Sequence, residues 1–299
     1  MLDRQKTEQR ILELESKGLF SIDALDNPPF EPLSYEEVDW DRRKLSSKIL
    51  TFLANTIGRT YINQLMWRKK FVFGGVRGLE NLEGLKGGAI VTVNHCHLAD
   101  HYMAFLGLRK FFGRSFRLHK VVREGNYRQP GMLGFLMRHA NTVPIAQDPD
   151  SNPKLVIECM KAVKKLLNKG KKVAVFVEQG FWPYYTKPRP TQRGGYMLAA
   201  KFGAPVVPCF LTMRNLNKVG RDGYPIVEFV LHVLPVIHPD PQLGAAANCD
   251  MLKDANNKAW KELYEEVYQE PLMYNALPPV SDAASIDNIK PLLEERQNG

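Results

Sequence analysis

The sequence predicts an α/β fold, in which a mixed, largely parallel sheet is flanked by helices and preceded by an N-terminal amphipathic helix. Two observations lead to this prediction. Apolar, β-rich runs alternate with helical segments from about residue 70 to residue 270, as in parallel sheets with right-handed crossovers. The 299 residues are 44% apolar and 24% charged, a balance typical of a globular protein with a sizeable core.

Charge and pattern divide the chain into four segments. Residues 1–40 form an acidic N-terminal extension with ten acids and four bases, in which residues 2–17 are expected to be helical. Residues 41–70 are expected to form a basic-flanked amphipathic helix, since apolar residues recur every four positions from Leu45 to Leu65 without a proline. Residues 71–270 form the α/β domain, and residues 271–299 form a Pro-containing C-terminal tail.

Within the domain, each apolar β-rich run predicts a strand and each longer periodic stretch predicts a helix. Ligands of such folds bind beyond the carboxyl ends of the strands. The predicted helices cover residues 98–112, 152–168, 193–202 and 250–270. The predicted strands are 71–76, 89–93, 117–122, 142–145, 172–177, 205–211 and 228–237.

The net charge of +9 is unevenly distributed along the chain. Residues 101–201 hold nineteen bases and five acids, and a basic region between acidic ends predicts an anionic partner. Nucleic acid is not expected, because no zinc-finger, RNP-like or KH pattern occurs. No run reaches the roughly 18–20 apolar residues of a membrane span, so membrane contact is expected only at the surface.

The cysteines and the start of the chain indicate the cellular compartment. The four cysteines are too few for a disulfide framework and too widely spaced for a zinc pair, which indicates a reducing compartment. The charged start of the chain does not resemble a signal peptide. These features predict a cytoplasmic protein that lies peripherally on the inner face of a membrane.

A strand-to-helix junction contains the residues best suited to chemistry. The strand at 89–93 leads into VNHCHLADH, where four residues separate His95 from Asp100. A carboxylate that bonds one imidazole nitrogen fixes the tautomer and leaves the other nitrogen to accept a proton. Such a pair can deprotonate a substrate hydroxyl without a serine or cysteine nucleophile.

Three motifs of the sequence resemble those of the glycerolipid acyltransferases. Asn94, His95 and Asp100 resemble the first block of that family, VFVEQG at 175–180 resembles the third block, and RGGYMLAAKFGAPVVPCFL at 193–211 resembles the segment that follows. The resemblance covers roughly residues 72–235 and makes 71–270 an acyltransferase domain of the glycerol-phosphate acyltransferase type. It implies transfer of a fatty acyl group from acyl-CoA or acyl carrier protein to a lysophospholipid-like acceptor such as 1-acyl-glycerol-3-phosphate. It implies no cofactor and no metal.

The resemblance also assigns roles to residues. His95 is expected to be the general base and Asp100 to orient it. Five further residues are expected to bind the acceptor or substrate, and they are Glu178, Gly180, Lys120, Arg123 and Arg193.

Two blocks depart from the family pattern. Gln147 stands where the second block usually has an arginine that binds the acceptor phosphate, and Val177 and Gln179 replace the proline and glycine of the third block. Gln cannot neutralise a phosphate as a bidentate arginine does. Either basic residues of the domain compensate, or the acceptor carries no phosphate at that place. The residues that would compensate are Lys120, Arg123, Lys187, Arg189 and Arg193.

Three alternatives stay open at this level. HCHLADH at 95–101 is one residue longer than the His-x-His-x-Asp-His motif of metallo-β-lactamase-like hydrolases, so a zinc-dependent hydrolase is a second candidate. The altered third block also allows a noncatalytic lipid-binding or acyl-carrier-binding protein. The apolar stripe of the 41–70 helix fits either packing on the domain or an interfacial position on an anionic bilayer.

Overall fold

In the computed structural model, which describes residues 3–27, 29–220 and 223–275, seven strands form one sheet. Their spatial order is β1-β7-β6-β2-β5-β3-β4. The strands are β1 (Val72–Arg77), β2 (Ala89–Thr92), β3 (Leu118–Arg123), β4 (Thr142–Ile145), β5 (Lys172–Val175), β6 (Val206–Val219) and β7 (Pro225–Val233).

The sheet is mixed and largely parallel, as the sequence predicts. Strands β6, β2, β5, β3 and β4 run in one direction. β7 is antiparallel to β6, and β1 is parallel to β7, so these two strands run the opposite way. The carboxyl ends of the five parallel strands therefore share one sheet edge with the amino ends of β7 and β1.

Helices cover the sheet and connect its strands. Those expected from the sequence are present with shifts of a few residues at their ends, as is usual for such boundaries. The helices are α1 (Arg4–Ser16), α2 (Leu45–Trp67), α3 (Asp100–Phe112), α4 (Glu124–Arg128), α5 (Gly131–His139), α6 (Pro153–Asn168), α7 (Arg193–Phe202) and α8 (Ala245–Tyr268).

Two features of this architecture were not predicted. α4 and α5 are short, and Pro130 and Gly131 between them hide the periodicity, although α5 begins directly after Pro130 as expected for a proline before a helix. β6 runs to Val219 instead of residue 211, because its polar second half pairs with β7 in an antiparallel hairpin.

The core lies on both faces of the sheet. All four residues of β2 are buried; Val91 faces a cluster that includes Phe71, Met103 and Leu108, whereas Ile90 faces the opposite cluster. That second cluster contains residues of α6, α7 and α8. A strand buried on both faces has a continuous apolar sequence, which explains why β2 reads as AIVT.

Helix α2 packs on the domain over only part of its surface. Ile62, Leu65 and Met66 contact the first core cluster, and Ala54 is the one described residue of α2 that is fully buried. Six large apolar side chains of α2 are exposed, namely Leu45, Ile49, Phe52, Leu53 and Tyr61, with Trp67 at its end. None of the helices in the described part of the chain has the length and apolar character needed to span a bilayer.

The segment before α2 packs closely on the domain. Residues 19–27, which we call the N-terminal strap, place Ala24 in a small core cluster around Trp182. Further along, the buried carboxylate of Glu124 accepts a hydrogen bond from the Leu33 amide at 2.8 Å. Of the predicted C-terminal tail at 271–299, residues 276–299 lie outside the described residues.

Candidate active site

Most of the residues that the sequence singles out lie at one edge of the sheet. His95 follows β2, Arg123 ends β3, Gln147 follows β4, and Glu178 follows β5. Since these four strands are parallel, their following loops meet at the same edge. The chain thus brings segments from across 80 residues of sequence into one place.

The His95 imidazole and the Asp100 carboxylate are in direct contact. Nδ1 of His95 lies 2.6 Å from Oδ2 of Asp100, and Asp100 is the first residue of α3. The Asp100 side chain is 3% exposed, whereas the His95 side chain is 24% exposed. Nδ1–H therefore donates to Asp100, and Nε2 is left as the proton acceptor.

Aromatic rings fix the orientation of the His95 imidazole. It stacks on Phe176 with ring centroids 4.2 Å apart and an interplanar angle of 24°. Phe181 lies on the ring as well, at 4.6 Å between centroids. An imidazole held by two rings and one carboxylate has little rotational freedom, so Nε2 points in one direction.

Glu178 holds the backbone of the His95 loop. Its Oε2 accepts the His95 amide at 3.0 Å and a guanidinium nitrogen of Arg189 at 2.7 Å, and its Oε1 accepts the Arg189 amide at 2.8 Å. Both side chains of this ion pair are at most 2% exposed. All these contacts of Glu178 are internal, so the structure gives it a positioning role, and the acceptor-binding role stays a prediction.

The N-terminal strap completes this network. Asp23 accepts the Phe181 amide at 2.6 Å, the Ile22 carbonyl accepts the Trp182 indole at 2.6 Å, and the Phe20 carbonyl accepts Arg189 at 2.8 Å. A Cβ on Gly180 would lie 2.4 Å from the Ile22 carbonyl oxygen. Gly180 is therefore required for the close approach of the strap, whereas its predicted contact with substrate stays a prediction.

No sequence pattern assigns the strap to the site. Residues 1–40 read as an acidic extension, and no motif marks Asp23. The opposite charges of this extension and of residues 101–201 were the available signal, since these two segments attract each other. The structure pairs them through Glu15 with Lys187, Asp23 with Arg123, and Glu37 with Arg128.

These ion pairs correct one expectation. The fold does not bring Arg123, Lys187, Arg189 and Arg193 together as free phosphate ligands, because each of them pairs with a carboxylate. The partners are Asp23, Glu15, Glu178 and Asp250 respectively. Arg193 lies at the start of α7 and contacts Asp250 of α8.

Lys120 is the fifth of these basic residues and lies on β3. Burial lowers the pKa of its ammonium group, and the negative charge of Asp100 acts in the opposite direction. Lys120 is therefore close enough to Asp100 for their charges to interact. Arg123 and Gln147 line one small pocket with Asn27, Asn126 and Gln129, so amide side chains dominate where the family has a phosphate-binding arginine.

Three other titratable side chains of residues 95–101 are buried and are not suited to nucleophilic or acid–base chemistry. The Cys96 thiol is 2% exposed, and burial raises its pKa well above the usual value, so it is not a thiolate nucleophile. The His97 ring packs against Phe71 and Phe229, and burial lowers its pKa to about 4. His101 is buried as well, and burial lowers its pKa.

The zinc-hydrolase alternative requires several of these side chains to converge. Within residues 3–27, 29–220 and 223–275, no three His, Cys, Asp or Glu side chains come together in a group that could hold a metal ion. The His97 ring packs against Phe71 and Phe229 while His95 contacts Asp100, so these two of the three imidazoles of the motif do not face a common site.

Part of the chain is similar to known proteins. Residues 75–212 match the family model described as Acyltransferase. The chain is 29% identical over 185 residues to the chloroplastic 1-acyl-sn-glycerol-3-phosphate acyltransferase BAT2 of Brassica napus, covering 61% of this chain and 48% of that protein. It is 29% identical over 148 residues to chloroplastic LPAT1 of Arabidopsis thaliana, which carries the same enzyme name, covering 50% of this chain and 38% of that one.

A solved structure is also similar. The crystal structure of the 1-acyl-sn-glycerophosphate acyltransferase PlsC from Thermotoga maritima matches with a TM-score of 0.48 and 19% identity, covering 77% of this chain and 86% of that one.

Residues 75–212, which include His95 and Asp100, are similar to the acyltransferase family. The resemblance inferred from the three sequence motifs is thereby confirmed. The chain spans about half the length, or less, of the two plant relatives.

Proposed function

We propose that this protein is an acyltransferase that moves a fatty acyl group from a thioester to a hydroxyl of a lysophospholipid-like acceptor of the 1-acyl-glycerol-3-phosphate type. The main support is the 2.6 Å contact between His95 and Asp100 at the carboxyl edge of the sheet. The matches to an acyltransferase family model and to two plant enzymes of this kind also support it.

The proposed reaction is a direct transfer. Nε2 of His95 takes the proton of the acceptor hydroxyl while the hydroxyl oxygen attacks the thioester carbonyl carbon. The tetrahedral intermediate then collapses, the carbon–sulfur bond breaks, and the imidazolium returns the proton to the leaving thiolate. Asp100 stabilises the imidazolium between these steps, and neither an enzyme-bound acyl group nor a cofactor is required.

The oxyanion of that intermediate needs donors near His95. The backbone amides from Gln179 to Trp182 all donate to acceptors within the protein. Since these third-block amides are engaged, we assign the oxyanion to the first block, at the amides of Cys96 and His97.

A membrane surface is the proposed source of the acceptor. Helix α2 exposes a row of apolar side chains, and the Tyr102 hydroxyl of α3 donates to Asn63 of α2 at 3.0 Å. Leu98, three residues from His95, is 73% exposed. Basic residues flank α2 at both ends. An apolar stripe beside the site with cationic ends suits an anionic bilayer, so we propose peripheral attachment there; the cytoplasmic face stays a prediction.

Product analysis tests the function directly. The purified protein is incubated with acyl-CoA or acylated carrier protein and a panel of lysolipids, with and without a phosphate headgroup, and products are identified by mass spectrometry. We expect a diacyl product and an equal amount of released thiol. Absence of any acylated product with every donor and acceptor would contradict the proposal and favour the noncatalytic binding protein. Phosphatidic acid as product would show that Gln147 does not exclude a phosphate.

A further inference from the structure

A cavity of about 700 Å³ opens at the same sheet edge as the His95 site. It lies where the chain passes from α2 to β1, next to the amino end of β7. Arg4, Arg68, Lys69 and Lys70 line it, and its described lining contains no carboxylate. The cavity is therefore strongly basic, and none of these residues belongs to the family motifs.

The charges of this cavity differ from those around His95. Arg4 pairs with Glu8 at 3.1 Å. By contrast, Arg68, Lys69 and Lys70 form no ion pair with any carboxylate in the described part of the chain. Three adjacent cations repel one another, whereas Arg123 and Lys187 are neutralised. At this part of the sheet edge, the positive charge of Arg68, Lys69 and Lys70 stays available to a ligand.

Aromatic rings accompany these cations. The Arg4 guanidinium lies 4.3 Å from the centre of the Tyr184 ring and 4.5 Å from that of Tyr224. On the rim, the Trp67 indole is 81% exposed. An indole stacks on a planar base, and guanidinium and ammonium groups bind phosphate oxygens. The combination suits a nucleotide with several phosphates, and the volume is that of a small-molecule site, about 300–1,000 Å³.

Tyr184, in the wall of the cavity, contacts the His95 loop. The Tyr184 amide donates to the Cys96 carbonyl at 2.9 Å, and the Tyr184 ring lies 5.7 Å from the His97 ring, centroid to centroid. A ligand in the cavity is thus separated from residues 95–97 by a single side chain. An extended arm attached to that ligand would pass over Tyr184 towards His95.

We propose that this cavity binds the nucleotide end of acyl-coenzyme A. The donor is then a coenzyme A thioester instead of a carrier-protein thioester, because a folded protein binds over a broad surface of about 800 Å² per partner, not inside a concavity. The inference rests on the proposed acyl transfer. It adds the chemical class of the donor and the residues that select it.

Binding of free coenzyme A tests the cavity without any turnover. Isothermal titration in detergent, with no vesicles present, compares the wild type with an Arg68→Glu/Lys70→Glu variant. The variant is expected to weaken binding about tenfold or more, through lost charge-assisted contacts to phosphate. A Lys164→Glu/Lys201→Glu variant carries the same charge change on exposed positions of α6 and α7, outside the cavity, and is expected to bind as the wild type does.

Kinetics with a truncated donor test the link to His95. Acyl-pantetheine lacks the nucleotide, so the Arg68→Glu/Lys70→Glu variant is expected to raise KM about tenfold for acyl-CoA only. Trp67→Ala is expected to raise the same KM by a smaller factor. In both variants the ratio of the KM for acyl-CoA to the KM for acyl-pantetheine is expected to rise, whereas in Lys164→Glu/Lys201→Glu this ratio is expected to stay at the wild-type value.

Three results would overturn the inference. The first is equal coenzyme A binding by the wild type and the charge-reversed variant. The second is turnover with carrier protein while coenzyme A does not bind. The third is a charge-reversed variant that binds a soluble short-chain phosphatidate more weakly than the wild type does but binds coenzyme A equally well. The second result would leave the proposed acyl transfer standing. Absence of transfer from every donor, with coenzyme A binding intact and sensitive to Arg68→Glu/Lys70→Glu, would contradict the proposed function but support the nucleotide site.

Discussion

The His95 loop and helix α2 are neighbours in space but are stabilised in opposite ways. Around His95, buried polar groups such as Glu178, Arg189 and Asp100 are held by hydrogen bonds within the protein. On α2, Ala54 is the one fully buried residue described, and large apolar side chains face solvent. Hydrogen bonds fix the side chains of the His95 loop, whereas α2 leaves exposed the apolar face that we propose to contact lipid. Substitutions in the His95 loop and on α2 should therefore have opposite effects on stability and on membrane binding.

Breaking the buried ion pair should have the largest effect on stability. Arg189→Met removes the guanidinium that faces Glu178, the Phe20 carbonyl and the Gly180 carbonyl. An unpaired buried carboxylate costs about 3–5 kcal/mol. We expect the free energy of unfolding in urea to fall by that amount and acyl transfer to be lost. The exposed Arg43→Met is the control, and equal stability of the two variants would show that the network does not hold the loop.

Asp100→Asn should affect turnover more than folding. The amide keeps the shape of the carboxylate, but it no longer stabilises an imidazolium at His95, so kcat is expected to fall about 10²–10⁴-fold. The melting temperature should change by only a few degrees, and the fall in kcat should exceed any change in KM. A normal kcat, or a loss explained by unfolding alone, would mean that Asp100 does not orient the base.

Buried imidazoles should make stability depend on pH. Burial lowers the pKa of His97, His119 and His232 to about 4, below the unfolded value of about 6.5. The unfolded chain therefore binds more protons between these values, so this stability is present above pH 6.5 and is lost as the pH falls towards 4.

Substitution of one imidazole measures that contribution. His97→Phe should flatten the pH dependence of the free energy of unfolding by at most about 1.4 kcal/mol per pH unit, the effect of one proton. The exposed His238→Phe is the matched control for the substitution itself. An unchanged slope in His97→Phe would show that His97 is not held neutral.

The smallest effect on stability is expected on α2. Leu45→Ser with Phe52→Ser removes exposed apolar side chains, so the free energy of unfolding should change by no more than about 0.5 kcal/mol per site. Sedimentation with anionic phosphatidylglycerol vesicles should nevertheless decrease severalfold. Ile157→Ser, at an exposed position of α6, is the matched control. Unchanged sedimentation of the α2 variant would show that α2 does not attach the protein to lipid.

Local sequence patterns predicted the sheet and the contact between His95 and Asp100 at its carboxyl edge. The run AIVTV and the first turn of the following helix locate His95 and Asp100, because the signal lies within twelve residues. The ion pair between Asp23 and Arg123 joins positions 100 residues apart, and Glu15 reaches Lys187 across 172. Single carboxylates at such separations leave no periodic pattern, so the strap and the neutralised cations emerged only from the structure.

The polar second half of β6 also could not be predicted as strand from its local sequence. TMRNLNKV at 212–219 lacks an apolar run, yet it is strand because β7 provides its hydrogen-bond partners. Helix α2 was predicted with its apolar stripe, but the sequence left open which side chains would be covered. The structure divides them, with Ile62, Leu65 and Met66 on the domain and Leu45 and Phe52 exposed.

The proposed role of His95 as general base is tested most directly by comparing two histidine variants in one assay. The initial rate of thiol release from acyl-CoA with a lysophosphatidate acceptor is measured for His95→Ala and for His238→Ala, with circular dichroism to verify folding. We expect a loss of about 10²-fold or more for His95→Ala and a wild-type rate for His238→Ala. A folded His95→Ala variant with the wild-type rate would contradict the role of His95 as the base.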